Sequence, residues 1–562
     1  MTRMKEDCKE SSESDEDLFN NSEEAFRSKT FVDLIRGYFV FLMCSSSLLV
    51  NNSGKLMKVS ERVLGNNLFS LIMRMTAFGH FVGGVDKAEL DPKLALLRKY
   101  GVGSILDYAA EEDISRDEAV EKEMKAAATT AVTTDLEELG GKLQQYKPSK
   151  QFADRREKVS TARVYFYENE EMCERNADNF IESIKTMAGQ ENSFVAVKLT
   201  ALARPELLYL LSEVIARARK FAAHITGNGG TIISQHLTME ELVKNLENAG
   251  VKDTEQFLKH VIKDKDGVLH LIPWSGIINN EVKLDESFRI PSLTKRKMVP
   301  LISKLPEQEM EMFRNAISRL KRVVTAADEC DVSVMIDAEQ TYFQPAISRI
   351  TMELMYLYNK EKPIIFNTYQ SYLKQSFNEM SSDLEQSERQ NFNYAFKLVR
   401  GAYLIQERER AKELRYPDPT NESFDKTTEM LNKIITHTFE KINTIKENET
   451  NRKIYVVIAT HNEDTVKFAM DQMQCYNICK EDKVISFAQL LGMCDYITYP
   501  LGRLGYPVYK YVPYGPINKV VPYLVRRCQE NIGVLNKLKK EKKIILQEII
   551  RRIIKGKIFY KP

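Results

Sequence analysis

Short apolar, β-branched runs that stop at polar residues recur along the chain, and helix-length segments separate them. They are GSILDYAAE with Asp107, FVAVKLTAL with Lys198, VSVMIDAEQ with Asp337, PIIFNTYQ with Asn367, AFKLVRGAY with Arg400, IYVVIATHN with His461, KVISFAQLLG with Gln489, and VYKYVPYG with Tyr511. Most read as strands buried on both faces, so eight of them predict an α/β fold, a closed parallel (β/α)8 barrel of TIM type. About 130 residues separate the second and third runs, against about 25 to 60 between later ones, an excess that such barrels take up as a loop insertion. The expected organisation is a disordered acidic leader at 1–30 and an N-terminal helical region at 31–100. The first barrel strands and helices follow at 101–204, then a helical insertion at 205–330, the rest of the barrel at 331–531 and a basic amphipathic tail at 532–562.

The longest apolar run, FVFLMCSSSLLV from Phe39 to Val50, falls short of the roughly 20 residues that span a bilayer and predicts a buried helix. The tail from Asn536 carries ten Lys or Arg against two Glu, with an apolar stripe at Leu535, Leu538, Ile545, Ile549 and Ile553. It is either a terminal helix packed on the domain or an adhesive surface for an anionic membrane.

With 562 residues, 43% of them hydrophobic, the chain can bury a large core. A formal charge of +2 gives no argument for nucleic acid. Eight cysteines without metal-ligand spacing read as reduced thiols, and no His, Cys and carboxylate set has ligand spacing, so no metal is expected. KDKDGVL resembles the centre of a calcium loop, but Ile262 and Pro273 stand where its first and last ligands belong; no calcium is expected, and the stretch reads as an Asp/Gly turn between helices. The acidic, Ser-rich start does not have the Arg-rich composition of a mitochondrial transit peptide.

Polar residues at the strand ends are the candidate site, because barrels of this type build their chemistry on that face. Lys198 is a lysine in an apolar strand, either desolvated as a nucleophile or paired, with Asp337 the natural partner. Thr460, His461 and Asn462 cluster donors and acceptors suited to a phosphate, a ribose or a planar ring. After the last run, Tyr523, Arg526, Arg527 and Glu530 fall at i, i+3, i+4 and i+7 of a helix and share one face. Such a face is either a solvated, ion-paired surface or, near a barrel mouth, a clamp for a carboxylate or phosphate.

KLVRGAYL, IDAEQTYFQPAI, FNTYQ, FAQLLGMCD and YKYVPYG followed by PYLVRR and EN closely resemble the mitochondrial proline dehydrogenases of animals, from roughly Ala196 to the end. The resemblance implies an FAD-dependent barrel that oxidises L-proline to 1-pyrroline-5-carboxylate and passes electrons to ubiquinone, bound peripherally at the matrix side of the inner mitochondrial membrane. Carried over, Arg526 and Arg527 bind the proline carboxylate, Glu530 orients them, Lys198 is a second cationic contact and Asp337 is paired to the site. Tyr511, Tyr523 and Leu490 wall the ring. Asn367, Lys397, Arg400, Gly401, Ala402, Thr460 and His461 match cofactor positions, and Lys397 also sits with Asp337 and Lys198 among the catalytic positions. Bacterial relatives carry Gln and Arg where this chain has Asn367 and Lys397.

Three alternatives stand beside this reading. Hydroxyproline dehydrogenase, a sister enzyme, resembles this chain but has a serine at the position of Tyr511. A Schiff-base aldolase would use Lys198 as nucleophile and the arginine pair to hold a phosphate. A non-catalytic scaffold would bind through the insertion and the tail.

Overall fold

Eight parallel strands close into a barrel: β1 (Gly103–Tyr108), β2 (Phe194–Val197), β3 (Ser333–Ile336), β4 (Ile365–Gln370), β5 (Tyr394–Val399), β6 (Ile454–Ala459), β7 (Ile485–Leu490) and β8 (Val508–Tyr514). Each pairs with its sequence neighbours and β8 pairs with β1, so no strand edge is left open. This is a computed structural model, and it describes residues 18–46, 49–50, 52–109, 143–146, 169–191, 193–226, 307–521, 523–524 and 535–562, with short pieces between 234 and 300.

Alternation along the strands makes two shells. Inward residues Ile105, Ala196, Met335, Phe366, Ala395, Val457, Ala488 and Tyr509 fill the barrel interior. Outward residues such as Val195, Ile336, Phe396 and Ile458 pack in the larger core beneath the helices. Those helices start where polar side chains cap them: Asn169 accepts from the Met172 amide, Ser423 from Lys426 and Asn462 from Asp464.

Several expectations are corrected here. Within 205–330, helix Glu307–Glu329 packs on helix Glu170–Met187 and on β3, and helix Pro205–Thr226 packs on helix Gln344–Tyr358, so both belong to the barrel wall. The added material lies between them and is not purely helical, for it includes short antiparallel pairings. KDKDGVL is flanked by strands rather than helices, since Ile262–Lys263 pairs antiparallel with Leu269–His270, while residues 264–268 lie outside the described residues.

Residues 18–30, expected to be part of a disordered leader, are ordered. Phe19 and Phe26 are buried in the main core around the short helix α1 (Ser22–Ala25). Lys29 pairs at 3.0 Å with Asp495, whose other oxygen is 2.8 Å from the fully buried Lys510 of β8.

The Phe39–Val50 run is not wholly buried. It lies partly in α2 (Phe31–Cys44), where Val40, Phe41 and Cys44 face inward while Phe39, Leu42 and Met43 are exposed. After it comes α3 (Ser53–Met75), broken at Gly65, whose φ of 71° takes it out of helical geometry.

The tail forms the helix Leu535–Ile554, which packs on α2 and α1. Ile544 and Ile545 enter the core, and buried Arg552 donates to the carbonyls of Lys29 and Phe26 at 2.8 Å and to Glu548 at 2.7 Å. One side of this helix is therefore packed on the domain, while Leu546, Ile550, Ile553 and Ile554 on its other side are exposed.

Candidate active site

Two residues beyond the interior layer on each strand stand Asp107, Lys198, Asp337, Thr368, Lys397, Ala459, Leu490 and Tyr511. The period of two therefore delivers two lysines, two aspartates and a tyrosine to one level at the C-terminal mouth of the barrel. Strand register sets β2 and β3 side by side, and the Asp337 amide donates to the Val197 carbonyl at 2.9 Å.

Asp337 is the hub of this level. Its Oδ1 lies 2.5 Å from Lys397 Nζ, and its Oδ2 lies 3.1 Å from Lys198 Nζ and accepts from the Tyr511 hydroxyl at 3.0 Å. Lys198 reaches a second carboxylate, Asp107, at 3.4 Å, and the Lys397 ammonium sits 5.6 Å from the centre of the Tyr511 ring. Burial by itself would raise the Asp337 carboxyl, but the ammoniums of Lys397 and Lys198 hold it well below the usual carboxylate range. Burial, then the charges of Asp107 and Asp337, push the Tyr511 phenol well above its ordinary value, so it stays a neutral donor to Asp337.

His461 and Leu490 meet across β6 and β7, where the Leu490 amide donates to His461 Nε2 at 3.1 Å. That bond assigns the ring proton of a neutral His461 to Nδ1. Thr460 is buried, its Oγ1 accepting from the Asn462 amide at 3.1 Å. Tyr523 is buried on the helix that follows β8, in a cluster against which Leu490 packs. Arg526, Arg527 and Glu530 lie outside the described residues.

Arg400 stands just past β5 with its guanidinium 3.9 Å from the centre of the Phe424 ring and Nη2 donating to Thr428 at 2.6 Å. Its Nε and Nη1 are buried without a hydrogen-bond partner among the described residues, and burial lowers its pKa, opposed by Asp425. Next to it, Gly401 has φ of 126°, and a Cβ there would fall 1.5 Å from Tyr372 Cδ1. Ala402 packs with Tyr372, Leu373 and Tyr403.

Asn367 is fully buried, with Oδ1 accepting from the Thr368 amide at 2.9 Å and Nδ2 without a partner among the described residues. Register pairs it with Phe396, while Thr368 pairs with Lys397. Alternation thus sets Asn367 on the face of Ile365 and Tyr369, and Thr368 takes β4's place in the polar layer. Asp107, named from the sequence only as a polar strand end, received no role there, although its offset from Ile105 matches that of Lys198 from Ala196 and Asp337 from Met335.

A barrel mouth with this polar layer suits many reaction classes, and comparison with known proteins narrows them. The sequence model of a family described as Proline dehydrogenase matches residues 91–540. The chain belongs to the proline dehydrogenase family. Proline dehydrogenase 1, mitochondrial, of Drosophila melanogaster is 49% identical, over 97% of this chain and 82% of its own length. The human protein of the same description is 38% identical, over 97% and 91%. Hydroxyproline dehydrogenase of Xenopus laevis is more distant, 28% identical over 94% and 89%. Membership makes the chain an oxidoreductase of the proline dehydrogenase kind, and the relatives that share this description are mitochondrial, which sets its compartment.

Proposed function

We propose that this chain oxidises L-proline to 1-pyrroline-5-carboxylate with FAD as cofactor and ubiquinone as acceptor, bound peripherally at the matrix side of the inner mitochondrial membrane. The observation that carries the reading is the Lys198, Asp337 and Lys397 array closed by Tyr511, in a chain of this family. Bound FAD supplies a hydride acceptor at flavin N5 and the route by which electrons leave for the quinone. The chain's own donors fit such a group: Arg400 offers two buried nitrogens that have no partner among the described residues to an anionic cofactor, and Gly401 lets the backbone pass close to it. Lys397, Thr460, His461, Ala402 and Asn367 complete the proposed cofactor set.

The protein's share of the chemistry is positioning. Lys198 and Lys397 are formally balanced by Asp107 and Asp337, so an incoming carboxylate needs further cations. Arg526 and Arg527 supply them, as guanidiniums able to grip a carboxylate through paired hydrogen bonds, with Glu530 orienting the pair. Lys198 gives a second cationic contact, while Tyr511, Tyr523 and Leu490 wall the ring and keep out water. The same geometry disfavours the aldolase alternative, because Lys198 is engaged by two carboxylates rather than held as a free amine.

The direct test is the flavin spectrum of the purified protein and its anaerobic bleaching by proline. A colourless protein, or a flavin that proline leaves oxidised, rejects the proposal; faster bleaching by hydroxyproline than by proline favours the sister activity. Replacing Tyr511 by Ser removes ring bulk and the hydrogen bond to Asp337, making room for a ring hydroxyl. Tyr511→Ser is expected to raise the hydroxyproline-to-proline ratio of kcat/KM by about 10-fold, and an unchanged ratio would remove Tyr511 from the specificity wall.

A further inference from the structure

Among the described residues 25 large hydrophobic side chains are exposed, and 20 of them lie in two stretches, residues 32–75 and 546–559. On α2 they are Val32, Ile35, Phe39, Leu42 and Met43, one stripe at helical spacing whose opposite side is buried. On α3 the pattern repeats through Leu56, Val59 and Val63 and, past the Gly65 break, Leu68, Leu71 and Met75. The C-terminal segment adds Leu546, Ile550, Ile553, Ile554 and Phe559, the last 93% exposed. These elements adjoin: α2 packs on the C-terminal helix, and the inner sides of α2 and α3 share one cluster through Val40, Cys44, Phe69 and Met73. Soluble monomers rarely leave contiguous apolar patches above roughly 600 Å², and larger ones mark interaction sites.

Charge identifies the partner. The two acids of residues 539–562, Glu541 and Glu548, are buried at 3% and 0% exposure, whereas Lys539, Lys543, Lys555, Lys557 and Lys561 are exposed. The apolar stripe of this segment is therefore flanked by an excess of cations: its own two acids are buried, and the exposed Glu23 of α1 lies 3.5 Å from Lys557. A second copy of the chain would bring the same lysines to the interface, but an anionic lipid surface complements them. No helix among the described residues is long and apolar enough to cross a membrane, which leaves an orientation in the plane of the interface.

We infer that α2, α3 and the C-terminal segment form one face that docks this protein on an anionic bilayer. The inference rests on the peripheral-membrane reading above and assigns it a surface. The buried side of that face shares its cluster with Tyr523 and packs against Leu490, two proposed walls of the substrate site, so docking brings the barrel mouth to the lipid where a membrane-soluble acceptor resides.

The test is flotation of the full-length flavoprotein with vesicles of phosphatidylcholine, with and without phosphatidylglycerol, alongside size-exclusion light scattering and proline oxidation with a soluble dye. Wild type is expected to float with the anionic vesicles. The variant Ile35→Glu, Val63→Glu, Leu71→Glu, altered at three exposed positions, should lose about 10-fold or more of its partitioning with dye-linked turnover and Tm unchanged. Lys555→Glu with Lys557→Glu, which leaves the apolar stripe in place, should weaken flotation on anionic vesicles and so tests the face independently if the triple variant fails to fold. Unchanged flotation of the variants overturns the inference, and so does a wild type that never floats. A dimer that the triple variant splits, without flotation of wild type, assigns the face to a second copy instead. Flotation as expected without proline turnover would sink the activity reading and leave the docking face standing.

Discussion

Replacing Asp337 by Ala is expected to lower kcat/KM for proline by about 100-fold or more and to destabilise the fold by about 3 kcal/mol, because removing one partner of a buried charge array leaves the others unpaired. Lys397 at 2.5 Å and Lys198 at 3.1 Å would lose their shared carboxylate, and the Tyr511 hydroxyl would lose its acceptor. Three side chains on β2, β5 and β8 would then be free to leave the geometry that faces the substrate. Steady-state kinetics and urea unfolding measure the two parts separately. The pH dependence follows from the sign of the shift. Asp337 is held below its ordinary value in the folded state, so its contribution is fully present above the unfolded carboxyl pKa of about 3.9. It is lost as the pH falls from there toward the folded value, and the stability curves of wild type and Asp337→Ala should converge in acid. Parallel curves, or a variant retaining half of wild-type kcat/KM, would show the array to be idle.

The second large effect is expected at Gly401. Its φ of 126° disfavours any side chain, and an added methyl would overlap the Tyr372 ring, with Cδ1 at 1.5 Å and Cε1 at 1.8 Å. Tyr372 cannot easily yield: it is buried, and its amide donates to the Arg400 carbonyl at 2.8 Å. Backbone strain of about 1–3 kcal/mol and overpacking of a similar size combine, so Gly401→Ala should cost at least about 3 kcal/mol. The strand end that carries Arg400 would shift with it, and flavin content per protein should fall more steeply than proline affinity. Thermal unfolding and the ratio of flavin to protein absorbance check both; a variant with wild-type Tm and full flavin would show that this turn tolerates a Cβ.

Much of the site was legible before any coordinates. A strand pattern has a period of two, so once Ala196, Met335 and Ala395 are inside, Lys198, Asp337 and Lys397 must be inside as well, one layer nearer the mouth. The same rule contained Asp107 and Thr368; reading by strand end instead of by period named Asp107 without giving it a role, passed over Thr368 and put Asn367 forward. Helix spacing groups Tyr523 with Arg526, Arg527 and Glu530, of which Tyr523 alone lies among the described residues.

Local periodicity thus sufficed for the barrel, its order of strands and the level where the charges gather, because each is written in side chains two to four residues apart. It had no means of recording contacts between distant parts of the chain. Phe26 and Arg552 are separated by 526 positions, yet their hydrogen bond helps to join part of an expected disordered leader and a tail of undecided packing into one unit. The apolar run in α2 carries no mark of which side meets the protein, since burial there depends on α3, the C-terminal helix and the barrel mouth together. Asp337 shows the same division: its place in the array follows from alternation, but its ionised state exists only because the closed barrel brings Lys198 and Lys397, 199 positions apart, onto its two oxygens.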